Sequence, residues 1–81
     1  MTRAEQIAKL REENPYAKAA VLETYVDALA TYREAQANIA TNGAIVFHPR
    51  TGAPIENPYL AVRDRATRVL VAARLTTSLW G

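Results

Sequence analysis

From Leu22 onward, side chains of one kind recur at alternating three- and four-residue steps: Leu22, Tyr25, Leu29, Tyr32, Gln36 and Ile39. Only Gln36 interrupts the apolar series, and Val21 and Val26 lie beside it. Such steps keep residues on one side of an α-helix. The stretch is therefore predicted to be a helix with a continuous apolar stripe. Asn14-Pro15 marks its start, since Asn caps well and Pro is favoured at the first helical position. Asn42-Gly43 marks its stop after about Thr41, because glycine takes a left-handed conformation there at little cost. At 1.5 Å per residue the helix would be roughly 40 Å long. That is longer than the core of an 81-residue chain needs. The stripe is expected to pack on a neighbouring copy, with Leu22, Tyr25, Leu29 and Tyr32 at the oligomer interface.

Size points the same way. A chain of 81 residues is one domain, and small domains are often marginal alone. Disulfides, metals or self-association usually make up the difference. The sequence has no cysteine, which excludes disulfides and thiolate metal sites. Self-association is the remaining route. No long uncharged apolar run is present to span a membrane. Met1-Thr2-Arg3-Ala4-Glu5 lacks the apolar core of a signal peptide, so a cytoplasmic protein is expected.

The flanking segments are shorter. Thr2 to Glu13 reads as a short helix or arm, with Thr2 and Glu5 at capping-box spacing and only Ile7 and Leu10 as an apolar stripe. Residues 14–81 form the main helical domain. Within it, Ile45-Val46-Phe47 is β-prone, His48-Pro49-Arg50-Thr51-Gly52 carries turn signals, and Ala53-Pro54-Ile55 can return as a second strand. Pro54 limits that strand to an edge. A small β-hairpin is predicted, with an irregular loop as the alternative. Asn57-Pro58 repeats the helix start, and a second helix runs to about Arg74. Tyr59, Val62, Ala66, Val69, Leu70 and Ala73 lie on its apolar face, with Leu60 and Val71 off it as a second contact surface that is expected to join the oligomer interface. Thr76 is placed to cap a last turn ending in Leu79 and Trp80. The fold class expected is mainly α: a long helix, a short β-hairpin and a second helix, forming a helical hairpin that self-associates.

Catalytic chemistry finds little support. The single histidine, His48, sits in a turn and reads as solvated or packing. No cluster has metal-ligand spacing, and the three glycines are scattered, so neither a metal nor a phosphate loop is indicated. The carboxylate pairs Glu12-Glu13 and Glu23/Asp27 fall on exposed helix faces. A nucleophile or base oriented by a second group is missing. No enzyme activity and no cofactor are expected. Tyr25 and Tyr32 could stack on bases, but their place on the stripe favours packing. Trp80 either anchors a partner or caps the core.

Charge is unevenly divided. Residues 1–43 sum to −1 and residues 44–81 to +3, the latter using only arginine. Arginine suits bidentate contacts to phosphate. Arg50 at the hairpin and Arg63, Arg65, Arg68 and Arg74 on the second helix are the candidate DNA contacts, with Lys9, Arg11 and Lys18 as a second patch. A solvated helix face is the competing explanation.

From about Leu22 the sequence resembles the small terminase subunits of tailed phages, of the P27-type family. The resemblance rests on the order of several segments. These are Leu22-Glu23-Thr24-Tyr25 through Tyr32-Arg33-Glu34-Ala35, then Ile39-Ala40-Thr41-Asn42-Gly43, and a hairpin with Thr51-Gly52. Glu56-Asn57-Pro58-Tyr59, Val62-Arg63-Asp64-Arg65-Ala66 to Ala72-Ala73, and Leu75-Thr76 follow. It implies a non-catalytic DNA-packaging subunit that forms a homo-oligomeric ring. Such a ring binds double-stranded viral DNA and delivers it to the large terminase subunit. Thr77 departs from the family's usual proline, and the sequence stops at Gly81 where members continue into a further helix and tail. A different reading is a phage or satellite adaptor without DNA binding, acting through Leu60, Val71, Leu79 and Trp80.

Overall fold

The computed structural model describes residues 1–80. Its elements are α1 (Arg3–Glu13), α2 (Ala19–Asn42), β1 (Ile45–Phe47), β2 (Pro54–Glu56) and α3 (Tyr59–Ala73). The architecture is a helical hairpin, with α2 and α3 packed along each other, a two-stranded β-hairpin at the turn, and α1 laid against α2. The radius of gyration is 15.5 Å and the extents are 51 × 23 × 18 Å. A compact chain of this length would have a radius of about 12 Å. The molecule is a rod.

The capping box on α1 is present. Thr2 Oγ1 accepts from the Glu5 N–H and Glu5 Oε1 accepts from the Thr2 N–H, each at 3.1 Å. The start of α2 differs from expectation. It begins at Ala19, not Pro15, and Lys18 precedes it without a side-chain cap. The reason is that Asn14 is engaged elsewhere. Its backbone N–H closes α1 on the Leu10 carbonyl at 2.8 Å. Its side-chain amide donates to the Thr76 carbonyl at 2.7 Å and accepts from the Thr76 N–H at 2.9 Å. Thr76 is thereby a tether point, and Thr77 caps the last turn instead, its hydroxyl accepting from the Leu79 N–H.

At the far end of α2, Gly43 donates its N–H to the Ile39 carbonyl at 2.7 Å. Its angles, φ 86° and ψ 172°, lie outside the left-handed helical basin expected there. They fall in an extended region open essentially to glycine alone. The strands then pair antiparallel, Ile45 with Glu56, Val46 with Ile55 and Phe47 with Pro54. Asn57, the one buried polar residue among those described, locks this corner. Its Nδ2 donates to Asn38 Oδ1 and to the Gly43 carbonyl, and its Oδ1 accepts from the Tyr59 N–H that opens α3.

The core gathers at the opposite end of the rod. Leu10, Leu22, Tyr25, Val26, Leu29 and Leu70 are buried together, with Ile7, Leu75 and Leu79 against them. The stripe on α2 is therefore covered within one protomer. This corrects the assignment of Leu22, Tyr25 and Leu29 to an oligomer interface: Leu22 and Leu29 are fully buried and Tyr25 is 3% exposed. Their cover comes from α1, α3 and the last turn, all distant in sequence. Midway along the rod, buried Ala35 and Ala66 let α2 and α3 approach closely. Gln36 faces outward there, which accounts for its place in the stripe.

Candidate nucleic-acid interface

The arginines of α3 are positioned by the register that Asn57 sets at its start. Because Ala66 and Leu70 face the core, helical geometry sends the arginines to different sides. Arg63 turns toward α2 and is committed there. Its guanidinium donates to Gln36 Oε1 at 3.3 Å and lies 3.4 Å from Asp64 Oδ1. Arg65 and Arg68 stand three residues apart on the other flank, exposed. Among the described residues neither finds a hydrogen-bonding or ionic side-chain partner. Their guanidinium donors are left facing solvent.

Arg74 ends α3 in the left-handed conformation, φ 50° and ψ 42°, an unusual setting for a residue with a Cβ. Asn14 ties the end of α1 to Thr76, so Arg74 shares its end of the rod with Arg11 and Lys18. Arg11 donates to the Ala17 carbonyl at 3.0 Å, bracing the α1–α2 turn. Lys9 is half-buried and Lys18 exposed.

Arg50 lies at the other end, on the hairpin tip. His48 organises that turn: its Nδ1 accepts from the Arg50 N–H at 3.1 Å and the Thr51 N–H at 3.4 Å. The lone histidine is thus a turn cap. Ile45 and Phe47 on the same hairpin are 57% and 70% exposed. The cations are therefore spread along the length of the rod, with Arg50 at one end, Arg65 and Arg68 between, and Arg74, Arg11 and Lys18 at the other.

The remaining expected contacts divide. Leu79 packs on the core. Trp80 is 47% exposed, yet its indole N–H donates to the Tyr25 hydroxyl and its ring meets Tyr32 edge-on with centroids 5.1 Å apart. Tyr32 is half-buried by that contact. Leu60 is half-buried and Val71 is 70% exposed, both away from the core face.

One surface escaped the sequence reading. An open apolar groove of about 430 Å³ runs between α2 and α3, lined by Val21, Thr24, Tyr25, Val69 and Ala72. It continues past Ala28, Thr31, Val62 and Arg65. The signal was available: small residues recur at helical spacing as Ala20, Thr24, Ala28 and Thr31 on α2. Among the described residues no group of three His, Asp or Glu side chains converges to hold a metal ion. No helix among them is long and apolar enough to cross a membrane.

The family model described as phage terminase, small subunit, matches residues 4–74. Searches of curated proteins and of solved structures give no match. The matched span takes in α1, α2, the β-hairpin and α3, every element that carries a candidate cation. The chain belongs to the phage terminase small-subunit family.

Proposed function

We propose that this chain is a non-catalytic DNA-packaging subunit, phage or prophage encoded. It assembles with copies of itself in the host cytoplasm, binds double-stranded viral DNA and passes it to the large terminase subunit. The observation that carries the reading is the family match together with a helix, α3, that presents Arg65 and Arg68 without partners of their own. Arg50 and Arg74 add candidate phosphate contacts at the two ends of the rod. Leu60 and Val71 offer a further contact surface for assembly or for the large subunit.

A modest charge per chain suits this role because assembly multiplies it. Each neutralised phosphate releases counterions, so affinity falls steeply with salt and more steeply for an oligomer that makes more contacts. The test is light scattering coupled to size exclusion, with and without duplex DNA, alongside a salt titration of DNA affinity. Assembly and salt-sensitive binding are the expected result. A monomer that ignores DNA sinks this reading and favours an adaptor that binds only protein.

A further inference from the structure

The β-hairpin turns its bulkiest side chains outward. Alternation along the strands puts Ile45, Phe47, Pro54 and Glu56 on one face, with Phe47 opposite Pro54 and Ile45 opposite Glu56. Ile45 is 57% and Phe47 70% exposed, while Val46 and Ile55, paired on the other face, are half-buried. Beyond Phe47 the tip carries Pro49 and Arg50, both exposed. The turn is held in shape by its own groups. The His48 N–H donates to the Ala53 carbonyl at 2.9 Å, and the Gly52 N–H to the His48 carbonyl at 2.8 Å. Thr51 Oγ1 accepts from the Ala53 N–H, and His48 Nδ1 from the Arg50 and Thr51 N–H groups. An apolar tip that is already ordered loses little entropy on binding.

Size and charge select what covers it. At these exposures Ile45 and Phe47 offer roughly 250 Å² between them. A stable protein interface takes about 800 Å² from each partner. No Asp or Glu occurs from Ala35 to Ile55, and the Arg50 guanidinium has no partner among the described residues. Glu56 sits at the strand root opposite Ile45, away from the tip. A small apolar point beside an unpaired cation suits stacked bases behind a rail of phosphates. Proteins that open the minor groove do so by inserting an apolar side chain, Phe, Ile or Pro among them, between base steps, and a narrow minor groove draws in arginine. The major groove is read by hydrogen bonds to base edges. The side chains of Ile45, Phe47 and Pro54 have no donor or acceptor for that. Arg65 stands six residues into α3 from Tyr59, roughly 9 Å along the rod, within reach of the same duplex.

We propose that the hairpin is a DNA wedge: Phe47, backed by Pro54 and Ile45, enters between base pairs from the minor groove, and Arg50 lies in the groove beside it. The inference rests on the DNA binding in the reading above and adds a mode to it. Bound DNA is locally unstacked and unwound. Pyrimidine–purine steps, which part most easily, are preferred.

The test uses the full chain. It is incubated with relaxed closed-circular plasmid and a topoisomerase, and the linking number is read after the protein is removed. Short duplexes with a central TA step give affinity across a range of salt. The wild type should lower the linking number. Phe47→Ala should abolish that change and bind the duplex roughly tenfold more weakly. Its slope of log affinity against log salt should be unchanged, since an apolar side chain releases no counterions. Phe47→Leu still offers a wedge and should keep most of both properties. Phe47 is exposed and lies outside the core, so both variants should melt with the wild type. Wild-type binding without a linking-number change overturns the wedge and leaves DNA binding standing, as does an unaltered change in Phe47→Ala. A wild-type chain that does not bind DNA overturns the functional reading and the wedge together, and assigns the hairpin face to a protein partner.

Discussion

Trp80 donates its indole N–H to the hydroxyl of Tyr25 at 2.7 Å, joining the end of the chain to a buried residue of the long helix. Around it, Arg33 donates to the Leu79 carbonyl, Glu13 Oε2 accepts from the Ser78 N–H, and Asn14 holds Thr76. Residues 75–80 are thus a strap that runs from the end of α1 to the middle of α2. The strap supplies part of the cover that the stripe on α2 requires.

Tyr25→Phe keeps the ring and removes the acceptor. The indole N–H is part-buried, so the expected cost is about 1 kcal/mol. Trp80→Ala also removes the edge-on contact with Tyr32 and part of the apolar cover, for about 2 kcal/mol. Urea unfolding of both single variants and the double variant measures this. A coupling near 1 kcal/mol is expected between the two sites, and additive losses would show that the strap does not depend on this bond.

The local chemistry of the sequence was enough for the capping box of Thr2 and Glu5, the stop at Gly43, the β-hairpin and the start of α3. Each depends on residues within a few positions of one another. What failed depends on residues far apart. Asn14-Pro15 looks like a helix start until Thr76, 62 residues away, claims the Asn14 side chain. The stripe of Leu22, Tyr25 and Leu29 looks unpartnered because its partners, Leu10, Leu70 and Leu79, come from three separate segments. Arg63 looks like its neighbours on α3 until Gln36 is seen beside it. The cationic residues were all legible; which of them remain available was not.

Asn57 bonds to α2, the hairpin base and α3 at once, and it is 3% exposed. Asn57→Ala leaves the Asn38 and Gly43 acceptors and the Tyr59 donor short of a partner in a half-buried corner. The expected loss is about 3 kcal/mol, because buried groups left unsatisfied cost more than a made bond gains. Hydrogen exchange should show the Tyr59 and Asn57 amides opening first. Asn57→Asp keeps the cap on Tyr59 but loses both donated bonds, and should fall between the two.

Acid should loosen the docking of α1. The Arg3 guanidinium, by hydrogen bond and charge, holds the Asp27 carboxyl below its ordinary range, and the Thr2 backbone and hydroxyl do the same for Glu5. A carboxyl depressed in the folded state stabilises it above the unfolded value and loses that contribution as pH falls through the folded one. Thermal midpoints should therefore decline from about pH 4 downward. Asp27→Asn should remove the Arg3 part of this dependence. Both groups are exposed, so high salt should flatten the remainder. A melting profile independent of pH in the wild type would contradict the assignment.

The arginines should separate by their surroundings. Arg65→Ala, Arg68→Ala and Arg50→Ala each remove an available cation, and each should reduce the slope of log affinity against log salt by about 0.9 per lost phosphate contact. Arg63→Ala should change the slope little, because Gln36 and Asp64 already occupy that guanidinium. Its effect should fall on stability. Arg74→Gly distinguishes the two roles within one residue. Its backbone sits at φ 50°, where glycine is at ease and arginine is not, so the variant should be more stable by about 0.5–1 kcal/mol. The same variant should bind DNA more weakly and with a shallower salt slope. Melting curves paired with titrations between low and moderate salt read both quantities on one sample. A stabilised Arg74→Gly with unchanged DNA binding would remove Arg74 from the interface and confine the phosphate contacts to Arg50, Arg65 and Arg68.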